Sequence, residues 1–424
     1  MNKELLKILL VGVLVTIAAF WLAFRFVQPA PPRAFTIAAG PEGGAYLAFA
    51  HRYQAALAEQ GIEVTVVPTS GSVENVTLLG QPDGVDVAFV QTGIPMDAAP
   101  DVSGLAALYY EPLWIFTRTE VAIERWAELA GLRMATGPAG SGTQSVVDAL
   151  MTEHKLSWDE VNWVPQGGDE AWEALAAGAI DGVFLVAAVG APAVQRYLEV
   201  PDLQLAQLSL VPALSRRLPF LTHVEIARGL LDPASEYPAE TIAVLAPVAS
   251  LVARDDFHPA LVDLLLTVVQ REHREGDLLS APGSFPRMDP VAAPISAEAE
   301  RFFTAGLPFL KRILPFWAAT LIARMWVMVI PLLTILIPLM KIVPPTYHWR
   351  LRSQVFRLYR RLKAVDAERM RSTDGEAAAE ARAEWLQTLD QIEAETEQLN
   401  VPLSYADRVY HLKLHIRFVK DQLS

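Results

Sequence analysis

Apolar and polar positions between Phe35 and Gly93 follow one repeated order. A short apolar run, Phe35–Ala39, stops at Gly40-Pro-Glu-Gly-Gly44 and gives way to a helical pattern over Tyr46–Glu59. Val64–Val67 stops at small polar residues, Ser70-Gly-Ser72, and gives way to a second helical pattern before Val85–Val90. Strand, polar turn, helix and strand in this order predict a parallel sheet with helical crossovers. Ligands of such sheets sit at the carboxyl ends of the strands, where the polar turns lie here.

The pattern then repeats. Leu105–Thr117 predicts two strands with Glu111-Pro112 between them, a crossing into a second lobe. That lobe opens with a strand over Leu132–Thr136, a glycine loop over Gly137–Thr143 and a helix over Gln144–Glu153. Val161–Val164 predicts a strand, Glu170–Ala177 a helix, and Gly178–Phe184 a turn into another strand. The return to the first lobe is expected between Leu208 and Leu251, and both sheets are expected to be mostly parallel. Residues 35–305 thus form a two-lobed α/β body.

Two apolar stretches flank that body. Ile8–Phe24, with Lys3 and Lys7 before it and Arg25 after it, predicts an anchor over 8–27. A cleaved signal is the alternative, but no clear Ala-x-Ala site precedes Pro29–Pro32. The second stretch, 321–343, holds Pro331 and Pro338, which a membrane helix tolerates. Arg324 is placed at its interface, and Trp317 and Trp326 in an interfacial belt. Leu307–Ala323 is expected along the membrane surface. Arg350, Arg352, Arg357, Arg360, Arg361 and Lys363 follow the second stretch, against Lys311 and Arg312 before it. The positive-inside rule therefore sets residues 1–7 and 347–424 in the cytoplasm and the body outside it, in the periplasm of a two-membrane bacterium.

Composition agrees with a body plus membrane segments: 52% hydrophobic and 20% charged residues, with a mean hydropathy of +0.27. A net charge of −13 argues against nucleic acid as a partner. The absence of cysteine excludes disulfides, thiolate metal sites and cysteine nucleophiles. Gly137–Thr143 lacks the Gly-Lys-Ser/Thr ending of a nucleotide loop. There is no Gly-x-Ser-x-Gly elbow and no His-Glu-x-x-His. No catalytic residue, metal or cofactor is expected. Three helix starts of the same type remain, and free amides there attract carboxylate or phosphate oxygens, unless each is only a capped turn. Glu74 reads as a cap of its own turn.

Together these motifs resemble the TAXI branch of solute receptors, which serve tripartite ATP-independent periplasmic (TRAP) transporters. The resemblance rests on Gly43-Gly-Ala-Tyr46, Ser70-Gly-Ser-Val-Glu-Asn75, Ala88–Gln91, Tyr110-Glu-Pro-Leu113, Ser141-Gly-Thr143 and Gly178-Ala-Ile-Asp181. It implies a two-lobed periplasmic-binding-protein-like fold, type II-like, here with two flanking transmembrane helices and a C-terminal α-helical tail. It also implies capture of a small organic anion, glutamate- or dicarboxylate-like, and its delivery to a TRAP permease. Carried over by position, the ligand contacts are Gly44, Tyr46, Ser70, Ser72, Gln91, Ser141, Gly142 and Thr143. Ala45 and Leu47 depart from the family pattern, which leaves the solute open.

The tail carries narrow apolar stripes at heptad spacing, such as Val355, Leu358, Leu362 and Val365, then Leu389 and Ile392, then Val409, Leu412, Ile416 and Val419. They predict a small self-packed helical bundle whose basic first helix touches membrane lipid. A ligand sensor signalling through this tail is the alternative to a transport receptor.

Overall fold

The computed structural model describes residues 29–200, 202–371, 376–399 and 403–423, with isolated positions before residue 29. The anchor expected over 8–27 lies for the most part outside the described residues. Two compact units are present, Pro29–Ile322 and a second made of Ala323–Ser424 with Met1–Gln28.

In the first unit the chain enters through β1 (Ala34–Ala38), α1 (Ala45–Ala58), β2 (Glu63–Val67), α2 (Ser72–Leu79), β3 (Val87–Gln91) and β4 (Val102–Tyr110). It crosses into a second lobe at Glu111-Pro112. There it forms β5 (Leu113–Arg118), β6 (Arg133–Ala135), α3 (Gly142–His154), β7 (Asn162–Val164), α4 (Gly168–Ala176) and β8 (Gly182–Val186). α5 (Pro192–Leu198), β9 (Leu203–Leu205), α6 (Val211–Arg217), β10 (Thr222–Ile226) and β11 (Ile242–Ala246) complete that lobe. β12 (Val248–Arg254) returns to the first lobe, followed by α7 (Pro259–His273), α8 (Ala297–Ala305) and α9 (Phe309–Ile313).

The two lobes share one topology. The first sheet runs β2-β1-β3-β12-β4 and the second β7-β6-β8-β5-β9. In the first, β1 is parallel to β2 and β3, and β12 is antiparallel to β3 and β4. In the second, β6 is parallel to β7 and β8, and β5 is antiparallel to β8 and β9. The expected mostly parallel sheets are therefore mixed, and the connectivity explains why. The strand opposing each parallel trio is the one that arrives from the other lobe, β12 in one sheet and β5 in the other. The return point falls at Pro247, late in the expected window, because β10 and β11 form a separate hairpin belonging to the second lobe.

Burial accounts for the elements. All five residues of β3 (Val-Ala-Phe-Val-Gln) are buried, as a strand covered on both faces requires. One face of the first sheet packs Ile37, Tyr53, Phe89 and Leu251, and the other Ala38, Val76, Val90 and Val252. The second lobe is double-faced in the same way, with Leu150 and Phe184 on one side and Trp114 and Phe116 on the other. Pro112 has no N–H to donate, so the ladder breaks where the chain changes sheets.

α10 (Phe316–Arg371) begins within this unit. Phe316 joins the first lobe's core, and the Trp317 indole N–H donates to the Gln60 carbonyl at 2.9 Å. Arg33 lies over the Trp317 ring at 5.2 Å. The Trp317 indole, which needs a partner for its N–H, thus ties the start of α10 to the end of α1. Nearby, the buried Asp263 of α7 is paired with Arg301 of α8 at 2.8 Å and Lys311 of α9 at 2.5 Å. Among the described residues, one helical stretch, Phe316–Thr334, is long and apolar enough to cross a membrane, with a mean hydropathy of 1.8 over 19 residues.

In the second unit, α11 (Glu376–Glu397) and α12 (Leu403–Asp421) share one apolar core with α10. Val355, Leu358, Leu362 and Val365 meet Leu389 and Ile392, and Val409, Leu412, Ile416 and Val419. These are the heptad positions of the sequence. Lys420 pairs with Asp390 at 2.5 Å, and Arg361 with Glu395 at 2.6 Å, on the outside of that core.

Candidate functional site

A cavity of about 400 Å³ lies between the two lobes. Its wall contains all eight residues singled out by sequence: Gly44, Tyr46, Ser70, Ser72, Gln91, Ser141, Gly142 and Thr143. They come from three helix starts and one strand end. A fourth helix start, Gly167-Gly168 at α4, lines the same wall and was missed in the sequence, where Gly-Gly-Asp-Glu carries no distinctive motif.

The N-cap residues of α1, α2, α3 and α4 are Gly44, Gly71, Ser141 and Gly167, and each faces the cavity. A helix start leaves backbone N–H groups without intrahelical partners. At Gly44, Gly71 and Gly167 no side chain caps them. Gly71 is held at φ 127° and ψ −156°, a conformation that favours glycine and explains the centre of the Ser-Gly-Ser turn. Ser141 does cap its helix, accepting from the Gln144 N–H at 3.2 Å.

Several of the predicted contacts are occupied by the fold itself. The Ser72 hydroxyl accepts from the Gln91 N–H at 3.0 Å, which locks α2 to the end of β3. The Thr143 hydroxyl accepts from the Val186 N–H at 3.0 Å. Ser70 donates from both its N–H (2.7 Å) and its hydroxyl (2.6 Å) to the Glu74 carboxylate. Those bonds hold the Glu74 carboxyl below its ordinary value, and they make Glu74 the cap of its own turn. Asn75 is fully buried and donates to the Ala39 carbonyl (2.6 Å) and the Phe89 carbonyl (2.7 Å) while accepting from Thr69 (2.6 Å).

The lobes touch across the cavity. The Gln91 side-chain amide donates to the Gly142 carbonyl of the opposite lobe at 2.8 Å. The Thr92 hydroxyl donates to the Phe220 carbonyl at 2.8 Å and accepts from the Val248 N–H at 2.9 Å.

Glu111, 5% exposed, is part of the wall; the sequence places it at the strand crossing and in the Tyr110-Glu-Pro-Leu113 motif but not among the ligand contacts. The available signal was a single carboxylate inside the apolar run Leu105–Thr117. The Tyr46 hydroxyl donates to Glu111 Oε2 at 2.6 Å. Glu111 Oε1 has no protein partner among the described residues. Burial pushes the Glu111 carboxyl up to about 8, although the bond from Tyr46 opposes the rise. Burial also raises the Tyr46 phenol, and the neighbouring Glu111 adds to it. Glu42, Glu111 and Glu170 are in the lining, and no Lys, Arg or His is, among the described residues. No group of three or more His, Asp or Glu positioned for a metal ion is found among the described residues.

Behind this wall, Tyr53 and His273 share a buried hydrogen bond of 2.5 Å, with Tyr109 stacked on the His273 ring. Burial, with Arg52 nearby, depresses His273 to about 3, so it is neutral in the fold. The unfolded chain takes up this proton near pH 6.5 and the folded one does not. Stability is therefore present above pH 6.5 and lost as pH falls toward 3, by about 2–3 kcal/mol at pH 4.5. His273→Gln should flatten that acid limb in melting curves recorded from pH 7 to 4; an unchanged slope counts against it.

Three solved structures illustrate the likeness. The alkanesulfonate-binding protein SsuA from Xanthomonas axonopodis pv. citri, bound to MOPS, is 14% identical over 57% of this chain and 74% of that one, with a TM-score of 0.35. A mutant of ArgBP from T. maritima is 14% identical over 58% and 92%, with a TM-score of 0.38. The CcmR regulatory domain of Synechocystis PCC6803, in complex with 2-PG, is 15% identical over 57% and 98%, with a TM-score of 0.38. The model of the NMT1-like family matches residues 37–270, a stretch that includes the whole cavity wall and every strand of both sheets except the first three residues of β1. With more than half of its length matched in this way, the chain belongs to the NMT1-like family.

Proposed function

We propose that this chain captures a small organic anion, glutamate- or dicarboxylate-like, between its lobes, as the TAXI-type solute receptor of a TRAP transport system. The observation that carries this is the convergence of four helix N-termini on one cavity. Each helix start favours an anion by typically 0.3–1 kcal/mol, and by up to about 2 when partly buried. Three of the four lack a side-chain cap, which leaves their amides to a ligand. Gly44, Gly142 and the first turns beside Tyr46, Ser70, Ser72, Ser141 and Thr143 then hold carboxylate oxygens, and Gln91 bridges the lobes. Membership of a family of the periplasmic solute-binding type supports the same function.

The body works outside the cytoplasm, with residues 1–7 and 347–424 on the inner side. The apolar stretch Phe316–Thr334 supports an anchor there. Phe309 and Ile313, 72% and 63% exposed on the short helix before it, suit contact with membrane lipid. A permease subunit is the partner that receives the solute.

Calorimetric titration of the full-length chain in detergent with succinate, glutarate, oxoglutarate and L-glutamate tests capture. Saturable micromolar binding of at least one is expected. Failure of all four at millimolar concentration would refute capture of this class.

A further inference from the structure

Glu111 is a buried carboxyl in the wall of a cavity that no cationic side chain lines among the described residues. Its Oε2 is taken by the Tyr46 hydroxyl, and its Oε1, in a residue of the cavity wall, has no protein partner among the described residues. Two carboxylate oxygens cannot share hydrogen-bond distance unless a proton lies between them. An anion held by the helix starts therefore meets Glu111 in one of two ways. Either Glu111 is neutral and donates, or it is ionised and repels.

We propose that Glu111 stays protonated when an anion occupies the cleft and donates from Oε1 to the ligand's carboxylate, which makes Glu111 the specificity-determining residue and couples capture to one proton; this rests on anion capture at this site. The surroundings favour the neutral form. Tyr46 and Tyr53 of α1, Tyr109 of β4, His273 of α7 and Asp277 beyond it are the titratable groups behind Glu111, and Glu42, Glu170 and Tyr197 lie around the cavity. Arg52 of α1 and Glu272 of α7 also act on Tyr53, and Arg52 on His273, but Arg52 is exposed and neither lines the cavity; His273 itself is neutral in the fold. Burial raises the Glu111 carboxyl to about 8, and an anion bound beside it would raise it further. No bond is made or broken. At a pH where Glu111 is ionised, one proton enters from solvent with the ligand; at lower pH it is already present.

The sign follows from this linkage. Affinity is full below the free-state value near 8 and is lost as pH rises through it. Glutarate binding to the full-length chain, titrated from pH 6.5 to 9.5, should weaken by roughly thirty-fold between pH 7 and 9.5. Titration at pH 9 in two buffers of different ionisation enthalpy should show proton uptake approaching one per ligand. Glu111→Gln keeps an acceptor for Tyr46 and a permanent, weaker donor. Its affinity should be several-fold lower than wild type at pH 7, flat with pH, and higher than wild type at pH 9.5, so the two curves cross. A flat wild-type profile would show that Glu111 does not meet the ligand. Affinity that grows with pH, abolished binding in the variant, or L-glutamate binding where glutarate does not would each overturn the proposal and make Glu111 an ionised partner for a ligand ammonium. If none of the four acids binds at pH 6.5, capture itself fails, which is a different result from any of these.

Discussion

Alanine at Gly142 is expected to weaken ligand capture by about 30- to 100-fold while both lobes keep their folds. A Cβ built at Gly142 lies 2.2 Å from Gln91 Oε1 and 2.7 Å from its Cδ, across the gap between lobes. Gln91 must swing away, and the 2.8 Å bond from its amide to the Gly142 carbonyl is lost. Gly142 is the first helical residue of α3 and has an ordinary helical backbone, so alanine strains nothing within its own lobe. The cost falls on the state with the lobes together, at about 2–3 kcal/mol for a lost bond and an opened contact. Titration of Gly142→Ala should show the weaker affinity alongside a melting temperature within a few degrees of wild type. In that background Gln91→Ala should add little, since the bond is already gone. Unaltered affinity, or full additivity of the two changes, would remove the cross-lobe contact from the mechanism.

Asn75→Ala should have the opposite profile, with a large loss of stability. Its side chain satisfies two carbonyls, at the ends of β1 and β3, and accepts from Thr69, all in the interior. Alanine removes the Asn75 donor from the Phe89 carbonyl and leaves the Ala39 carbonyl and the Thr69 hydroxyl with only their long mutual bond of 3.3 Å, and an unmade buried bond costs about 1–3 kcal/mol. Allowing for relaxation, a total of about 3–5 kcal/mol is expected, which lowers the melting temperature by roughly 6–15 °C. Thermal unfolding followed by circular dichroism measures it. A shift under 3 °C would mean that the strand ends and the helix start are held together by packing alone.

These two positions show what the sequence exposes and what it hides. The Ser70–Asn75 turn is conspicuous as a string, and it does lie at the cavity. Its members nevertheless divide by partner: Gly71 gives the backbone its conformation, Ser72 and Asn75 tie strand ends, and Glu74 caps. A string shows which residues are near one another but not which donors are already used. The strand–helix order made the two lobes legible, because period and punctuation are local. The antiparallel β5 and β12 were not, since a strand's direction in its sheet depends on which lobe the chain has just left. Glu111 was hidden for a related reason. Nothing local distinguishes a carboxylate at a crossover turned to solvent from one turned inward. Only the packing of α1, which brings the Tyr46 hydroxyl to it, separates them. The bond from Trp317 to the Gln60 carbonyl, 257 positions away in the chain, has no local signal either.

Glu111 is also a backbone joint. Its own N–H donates to the Pro247 carbonyl at 3.0 Å, so the outgoing and returning passages between lobes are stitched together at this residue. If the receptor proposed above closes by rotation of its lobes about this joint, residues at the joint travel least and those at the rims travel furthest. A ligand contact at Glu111 would then persist through the whole arc, while contacts at the rims would form only at its end.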